Sequence, residues 1–189
     1  MMATLSHLTA PLFTPADYHP AQDFISVSQV CASVPLIVVP TALGVNSIEE
    51  LIELDASDPG ALNYIKPGNG SFGHLMIETL NLNAGTTIQP IDYQGLPPGI
   101  IDLQANRVQV GALSVSHIVQ HVAEGTLTPI AAVGNVRAAE FPDVPTLPEQ
   151  GHAASNIDTV FFVIAPAGTP DDAVQRLHDE ITASLARMP

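Results

Sequence analysis

The 189-residue sequence is poor in positive charge: five Lys and Arg stand against nineteen Asp and Glu, for a formal net charge of −14. Such a surface disfavours non-specific attachment to nucleic acid or to an anionic membrane, so no nucleic-acid partner is expected. A bound anion would have to be held mostly by backbone N–H groups and hydroxyls. Long apolar runs are missing as well. Although 46% of the residues are hydrophobic, the unbroken apolar stretches, such as Leu36-Ile-Val-Val39, are only a few residues long, far short of the roughly 20 residues of a spanning helix. The single cysteine, Cys31, excludes an internal disulfide. In its apolar surroundings it reads as a small buried side chain and leaves the redox compartment open. The first ten residues carry no Lys or Arg and no apolar core ending in a cleavage site, so they do not read as a signal peptide.

What is present is punctuation. Seventeen Pro and thirteen Gly divide the chain into short blocks of alternating type, with no repeat and no low-complexity tract. Residues 27–31 and 34–39 are rich in β-branched and apolar residues, as buried strands are. Ser47-Ile-Glu-Glu50 fits a capping box and opens a helix to about Leu54. A strand at 62–65 precedes a helix carrying Phe72, Leu75, Met76, Thr79 and Leu80 at helical spacing, which Gly85 ends. Strands at 87–91, 108–113, 129–133 and 160–165 alternate with helices at 99–105 and 116–123. A last helix opens at Thr169-Pro-Asp-Asp172, where Pro170 suits the first position and the acidic pair complements the helix dipole. Its Val174, Leu177, Ile181 and Leu185 form one apolar stripe, expected to pack into a core. The pattern is α/β, with mostly parallel sheets.

The candidate chemistry centres on Gly68, Gly70 and Gly73, which spell G-x-G-x-x-G between a strand and a helix. Asp92, nineteen residues past Gly73 at the end of the next strand, stands where a ribose-binding carboxylate would belong. A nucleotide-dependent Rossmann-type enzyme is therefore the alternative reading. Against it, Lys66-Pro67 separates the strand from the first glycine, and earlier strands and a helix mean that the motif would not open its domain. The physics common to every reading is a glycine turn that delivers Ser71 and a row of N–H groups to a helix start, an arrangement suited to phosphate or carboxylate. A plain tight turn with Ser71 capping the helix satisfies the same pattern. Asn69 breaks G-x-S-x-G, so no nucleophile elbow is expected. His117 and His121 are four apart on a helix but lack H-E-x-x-H and an obvious third ligand, and Glu49, Glu50 and Glu53 read as a solvated helix face. No metal and no cofactor is expected.

Several blocks occur in a familiar order: Pro35-Leu-Ile-Val-Val-Pro40, Ser47-Ile-Glu-Glu-Leu51, Asp58-Pro-Gly-Ala-Leu-Asn-Tyr64, Gly68-Asn-Gly-Ser71 with His74-Leu75, Tyr93-Gln-Gly95 with Asp102-Leu103, Pro142-Asp-Val-Pro-Thr-Leu147 and Ala165-Pro-Ala-Gly-Thr-Pro170. From about Phe13 onward the chain resembles the Bug-type substrate-binding proteins, the extracytoplasmic receptors of tripartite tricarboxylate transporters. The resemblance implies a type II periplasmic-binding-protein fold of two α/β lobes closing over a small organic acid, in a monomeric, periplasmic, non-enzymatic protein that serves membrane components of the transporter. It implies that Gly68, Asn69, Gly70, Ser71 and His74 form the carboxylate-holding turn, that Tyr93 and Gly95 face the same cleft, and that Arg137 contacts either the ligand or a structural ion-pair partner. By the same analogy the first lobe is incomplete: residues 1–37 are its remnant and a crossing strand, 38–131 the central lobe, and 132–189 the return to the first lobe. Part of the first lobe's apolar surface should then be exposed. Thr126 and Thr128, Gln109, and Phe161 or Phe162 depart from the residues usual at those places.

Overall fold

The computed structural model describes residues 1–153 and 159–187; the Met188-Pro189 end lies outside the described residues. The described elements run, in chain order, β1 (Met2–Ala3), α1 (Leu5–Phe13), β2 (Phe24–Ser33), β3 (Pro35–Pro40), α2 (Ile48–Ser57), β4 (Asn63–Lys66), α3 (Phe72–Ala84), β5 (Gln89–Asp92), α4 (Leu96–Gln104), β6 (Gly111–Ser114), α5 (Val115–Ala123), β7 (Leu127–Ala132), β8 (Thr159–Pro166) and α6 (Asp171–Leu185). They divide into two compact units, Met1–Ala32 with Thr159–Pro189, and Ser33–Asp158. The larger unit therefore begins earlier and ends later than the expected 38–131. The reason is packing. Leu36 and Ile37 are fully buried in it, and Leu147 returns to donate its N–H to the Ala132 carbonyl at 2.8 Å.

β3 is the spine of the larger unit. Leu36 and Val38 point to one core and Ile37 and Val39 to the other, and all four are fully buried. A strand covered on both faces needs apolar residues at every position, which is why its sequence shows no alternation. One core takes Ile48 and Leu51 of α2 and Met76, Ile77 and Leu80 of α3. The other takes Ile100 and Leu103 of α4 and Val115 and Ile118 of α5. The result is a helix–sheet–helix sandwich.

Strand direction refines the expectation of parallel sheets. β4 pairs with β5 in parallel, and Tyr64 bridges in parallel to Val110, next to β6. β3 pairs antiparallel with both β6 and β7. Four strands therefore run one way and β3 alone runs against them. This is the geometry of a strand that enters from outside the βαβ series and not through a helical crossover.

The smaller unit holds a three-stranded sheet in the order β1-β8-β2. Here β1, a two-residue edge segment that the sequence does not announce, pairs antiparallel with β8. The N-terminal ammonium donates to the Ile164 carbonyl at 2.7 Å. His7 of α1 stacks on Tyr18 with ring centroids 4.7 Å apart. One helix of this unit was not anticipated, and two expectations need correction. Residues 5–13 form a helix that the sequence does not announce: Thr4 makes no side-chain cap, no acidic residue occupies the first turn and Pro11 sits inside it. Cys31 is exposed, not buried. The apolar stripe of α6 enters no core, since the helix buries none of its residues and Leu177 is exposed; a three-stranded sheet and one short helix offer too little surface to cover it. That exposure is what an incomplete lobe leads one to expect.

Candidate functional site

The site is built where β4 ends and α3 begins. β4 contributes Lys66 at its last position, and Pro67 then turns the chain into Gly68, whose φ is 148°, and Gly70, whose φ is 70°. An L side chain at 70 would be forced into the left-handed region, so the turn requires glycine there. Ser71 closes the turn by donating its N–H to the Gly68 carbonyl at 3.3 Å. It also caps α3, its Oγ accepting the His74 N–H at 3.4 Å. His74 answers from the helix: its Nδ1 accepts the Gly70 N–H at 3.0 Å, which leaves Nε2 as the ring's donor in this arrangement. Turn and helix start are thus locked to each other at both ends. Within α3, geometry leaves the N–H groups of Phe72 and Gly73 without an intrahelical acceptor, and neither finds another partner among the described residues.

Lys66 joins this turn to the neighbouring strand. Its ammonium donates to Asn69 Oδ1 at 3.2 Å and pairs with Asp92 Oδ1, the last residue of β5, at 2.9 Å. The Tyr93 N–H donates to the Lys66 carbonyl at 2.9 Å, so the backbone of Tyr93 does sit against the base of the turn. Its phenol goes elsewhere, donating to Asp102 Oδ2 of α4 at 2.9 Å. Burial, reinforced by that hydrogen bond, pushes the Tyr93 hydroxyl up to about 12. Asp102 is held below the usual carboxylate range, first by the Arg107 guanidinium and then by Tyr93. Gly95 caps α4 with φ 93°.

Arg137 serves a different place. Its Nε reaches both Glu149 oxygens at 2.9 and 3.2 Å and its Nη1 donates to the Pro142 carbonyl at 2.7 Å. These partners clasp the segment after β7 and lie outside the turn. The Arg137 hydrogen bond keeps Glu149 below its ordinary carboxylate range, helped by the Thr146 N–H. Of the expected residues, Gly68, Asn69, Gly70, Ser71 and His74 are together; Tyr93 joins them through its backbone; Gly95 opens a neighbouring helix; Arg137 is the structural ion pair.

Two residues at the same edge were not anticipated. Lys66 is the only lysine in the chain, and that rarity directly before a glycine turn was its signal. Ser114 ends β6, caps α5 without a side-chain bond and is buried. Its signal was an apolar strand running without a break into an amphipathic helix. His117 and His121 belong to no group of three metal-binding side chains among the described residues. His121 instead lies 3.1 Å from the Gln104 amide.

Free N–H groups and one cation at the carboxyl ends of strands in an α/β unit are an arrangement suited to a small anion. The comparisons with known proteins give the family. The whole chain, residues 1–189, matches the tripartite tricarboxylate transporter family receptor, TctC, and the chain belongs to that family. The match starts at the first residue, earlier than the expected Phe13. Protein BugT of Bordetella pertussis is 30% identical over 188 residues, covering 96% of this chain and 57% of BugT. The structure of Rpa4515 of R. palustris with adipate superposes with a TM-score of 0.90 at 29% identity, over 96% of this chain and 62% of that one. MatC of Rhodopseudomonas palustris, solved with bound malate, shares the fold with a TM-score of 0.88 at 22% identity, over 99% of this chain and 64% of its own. The chain therefore spans about three-fifths of the length of these relatives.

Proposed function

We propose that this chain is the ligand-holding part of an extracytoplasmic solute receptor. It takes a small organic acid anion, a di- or tricarboxylate or an acidic amino acid, and presents it to the membrane components of a tripartite transporter in the periplasm. It acts as a monomer, without a cofactor, and carries out no covalent chemistry. The observation that carries this reading is the glycine turn locked onto α3, with the Phe72 and Gly73 N–H groups left over at the positive end of a 13-residue helix. In a chain of net charge −14, backbone donors are the natural way to hold a carboxylate. The adipate bound by Rpa4515, a relative 29% identical, belongs to the same ligand class.

Titration calorimetry of the purified chain with adipate, succinate, citrate and glutamate, and with NAD as the control for the dinucleotide alternative, tests the reading. Saturable heat is expected from at least one carboxylate, weakened roughly tenfold or more by Gly70→Ala, because a left-handed alanine costs about 1–2 kcal/mol and displaces the turn. Heat from NAD and none from any carboxylate would sink it.

A further inference from the structure

The larger unit has three basic side chains, and two are already committed. Arg107 is on Asp102 at 2.9 Å and Arg137 on Glu149 at 2.9 Å. The third is Lys66, and its situation is lopsided. Its side chain is only 13% exposed, whereas the Asp92 side chain that neutralises it is 78% exposed. Two of the three ammonium donors are used, one on Asn69 of the turn and one on Asp92. A largely buried ammonium needs a partner, but nothing fixes that partner as Asp92: a carboxylate standing mostly in water gains little from the pair and leaves it at little cost.

We propose that Lys66 is the specificity-determining residue of the turn. It exchanges the Asp92 carboxylate for the second carboxylate of a dianionic ligand whose first carboxylate rests on the Phe72 and Gly73 N–H groups. The inference rests on the carboxylate reading above and adds the charge that is selected. Asp92 is then a placeholder: it keeps Lys66 neutralised in the empty protein, and its own negative charge rejects ligands that cannot displace it. Monoanions of the same length meet the helix start but have nothing to offer the ammonium, so the pair stays closed over them.

The test compares adipate with hexanoate, which has the same chain length and one carboxylate fewer. Calorimetry on the 189-residue chain should favour adipate roughly tenfold or more, the worth of one hydrogen bond to a charged group. Lys66→Gln should reduce that preference to within a factor of about two, and Lys66→Arg should restore much of it. Asp92→Asn is the decisive variant. If Asp92 is a competitor, its neutralisation raises the adipate-to-hexanoate ratio; if the ion pair is simply a strut for the turn, the same variant lowers adipate binding as Lys66→Gln does. Lys66 can also be watched directly. Reductive methylation with ¹³C-formaldehyde labels only the N-terminal amine and this one lysine, and the lysine resonance should move saturably with adipate and stay in place with hexanoate. An unaltered preference in Lys66→Gln, or weaker adipate binding in Asp92→Asn, overturns the assignment while the carboxylate reading survives. Failure of every carboxylate to bind the wild-type chain removes both.

Discussion

Tyr64 and Tyr93 show how single hydroxyls tie the larger unit together. Tyr64 is completely buried and donates to Glu78 Oε1 at 2.8 Å, linking β4 to α3 directly beneath the turn. Burial, with that hydrogen bond added, pushes its hydroxyl far above the ordinary 10.0, and Tyr93 is raised to about 12 for the same reasons. Both phenols are neutral in the folded chain at a pH where the unfolded chain has already lost their protons. The native state therefore binds more protons above pH 10, and the associated stability is complete below about 10 and declines as pH rises toward 12 and beyond. Urea midpoints measured at pH 8 and pH 11 should fall with pH, and Tyr93→Phe should flatten part of that slope. Equal midpoints at the two values would refute the account. Tyr93→Phe also leaves the Asp102 carboxylate with one donor fewer, so the Asp102 carboxyl should titrate at a higher pH in that variant.

At the scale of elements, one glycine outside the turn decides how α4 lies on the sheet. A Cβ added at Gly99 would come within 2.6 Å of Ile65 Cγ2 and within 3.2 Å of Ile65 Cγ1. Ile65 is buried in the second core and, being β-branched, has little rotamer freedom with which to move aside. Gly99→Ala should cost roughly 1–3 kcal/mol of unfolding free energy, and the loss should shrink when Ile65 is simultaneously truncated to Ala, as a double-mutant cycle resolves. A change below about 0.5 kcal/mol, the range of ordinary surface substitutions, would mean that α4 is not held by this contact. The elements themselves were legible where local chemistry and burial agree. Ser47 does accept the Glu50 N–H at 3.1 Å, Gly85 does end α3 in the left-handed conformation, and the unalternating 35–40 stretch is a doubly covered strand. They were illegible where local chemistry is silent. α1 has no cap to announce it, β1 is two residues of an edge, and the reversed direction of β3 depends on which strands flank it, which no residue within 35–40 encodes. The turn was readable from its glycines and serine. The motif's spacing also placed Asp92 near it, but not the Lys66–Asp92 pair, which depends on β4 and β5 lying side by side in a register that sets Lys66 opposite Asp92.

Across the whole molecule the two units differ in how much they bury. In the larger one, β3 is sealed between two cores and α2 to α5 each contribute fully or nearly fully buried side chains. In the smaller one, α1 and α6 bury no residue, Leu8, Leu12, Phe13 and Leu177 are exposed, and a hollow of about 430 Å³ lined by His7, Phe24, Phe162 and Ile164 opens beside α1. Few buried contacts mean a low free energy of local opening. Amide hydrogen exchange of the intact chain should therefore show α1 and α6 exchanging well before β3 and α3, and denaturant should release the smaller unit first. The ordering matters for function because the candidate turn, Lys66 and Asp92 all lie in the larger unit. A carboxylate that binds there should slow exchange around residues 66–74 and 92–93, with no requirement that α6 become protected. Uniform protection across both units, lost in a single cooperative step, would show instead that the exposed stripe of α6 and the hollow beside α1 do not weaken the smaller unit.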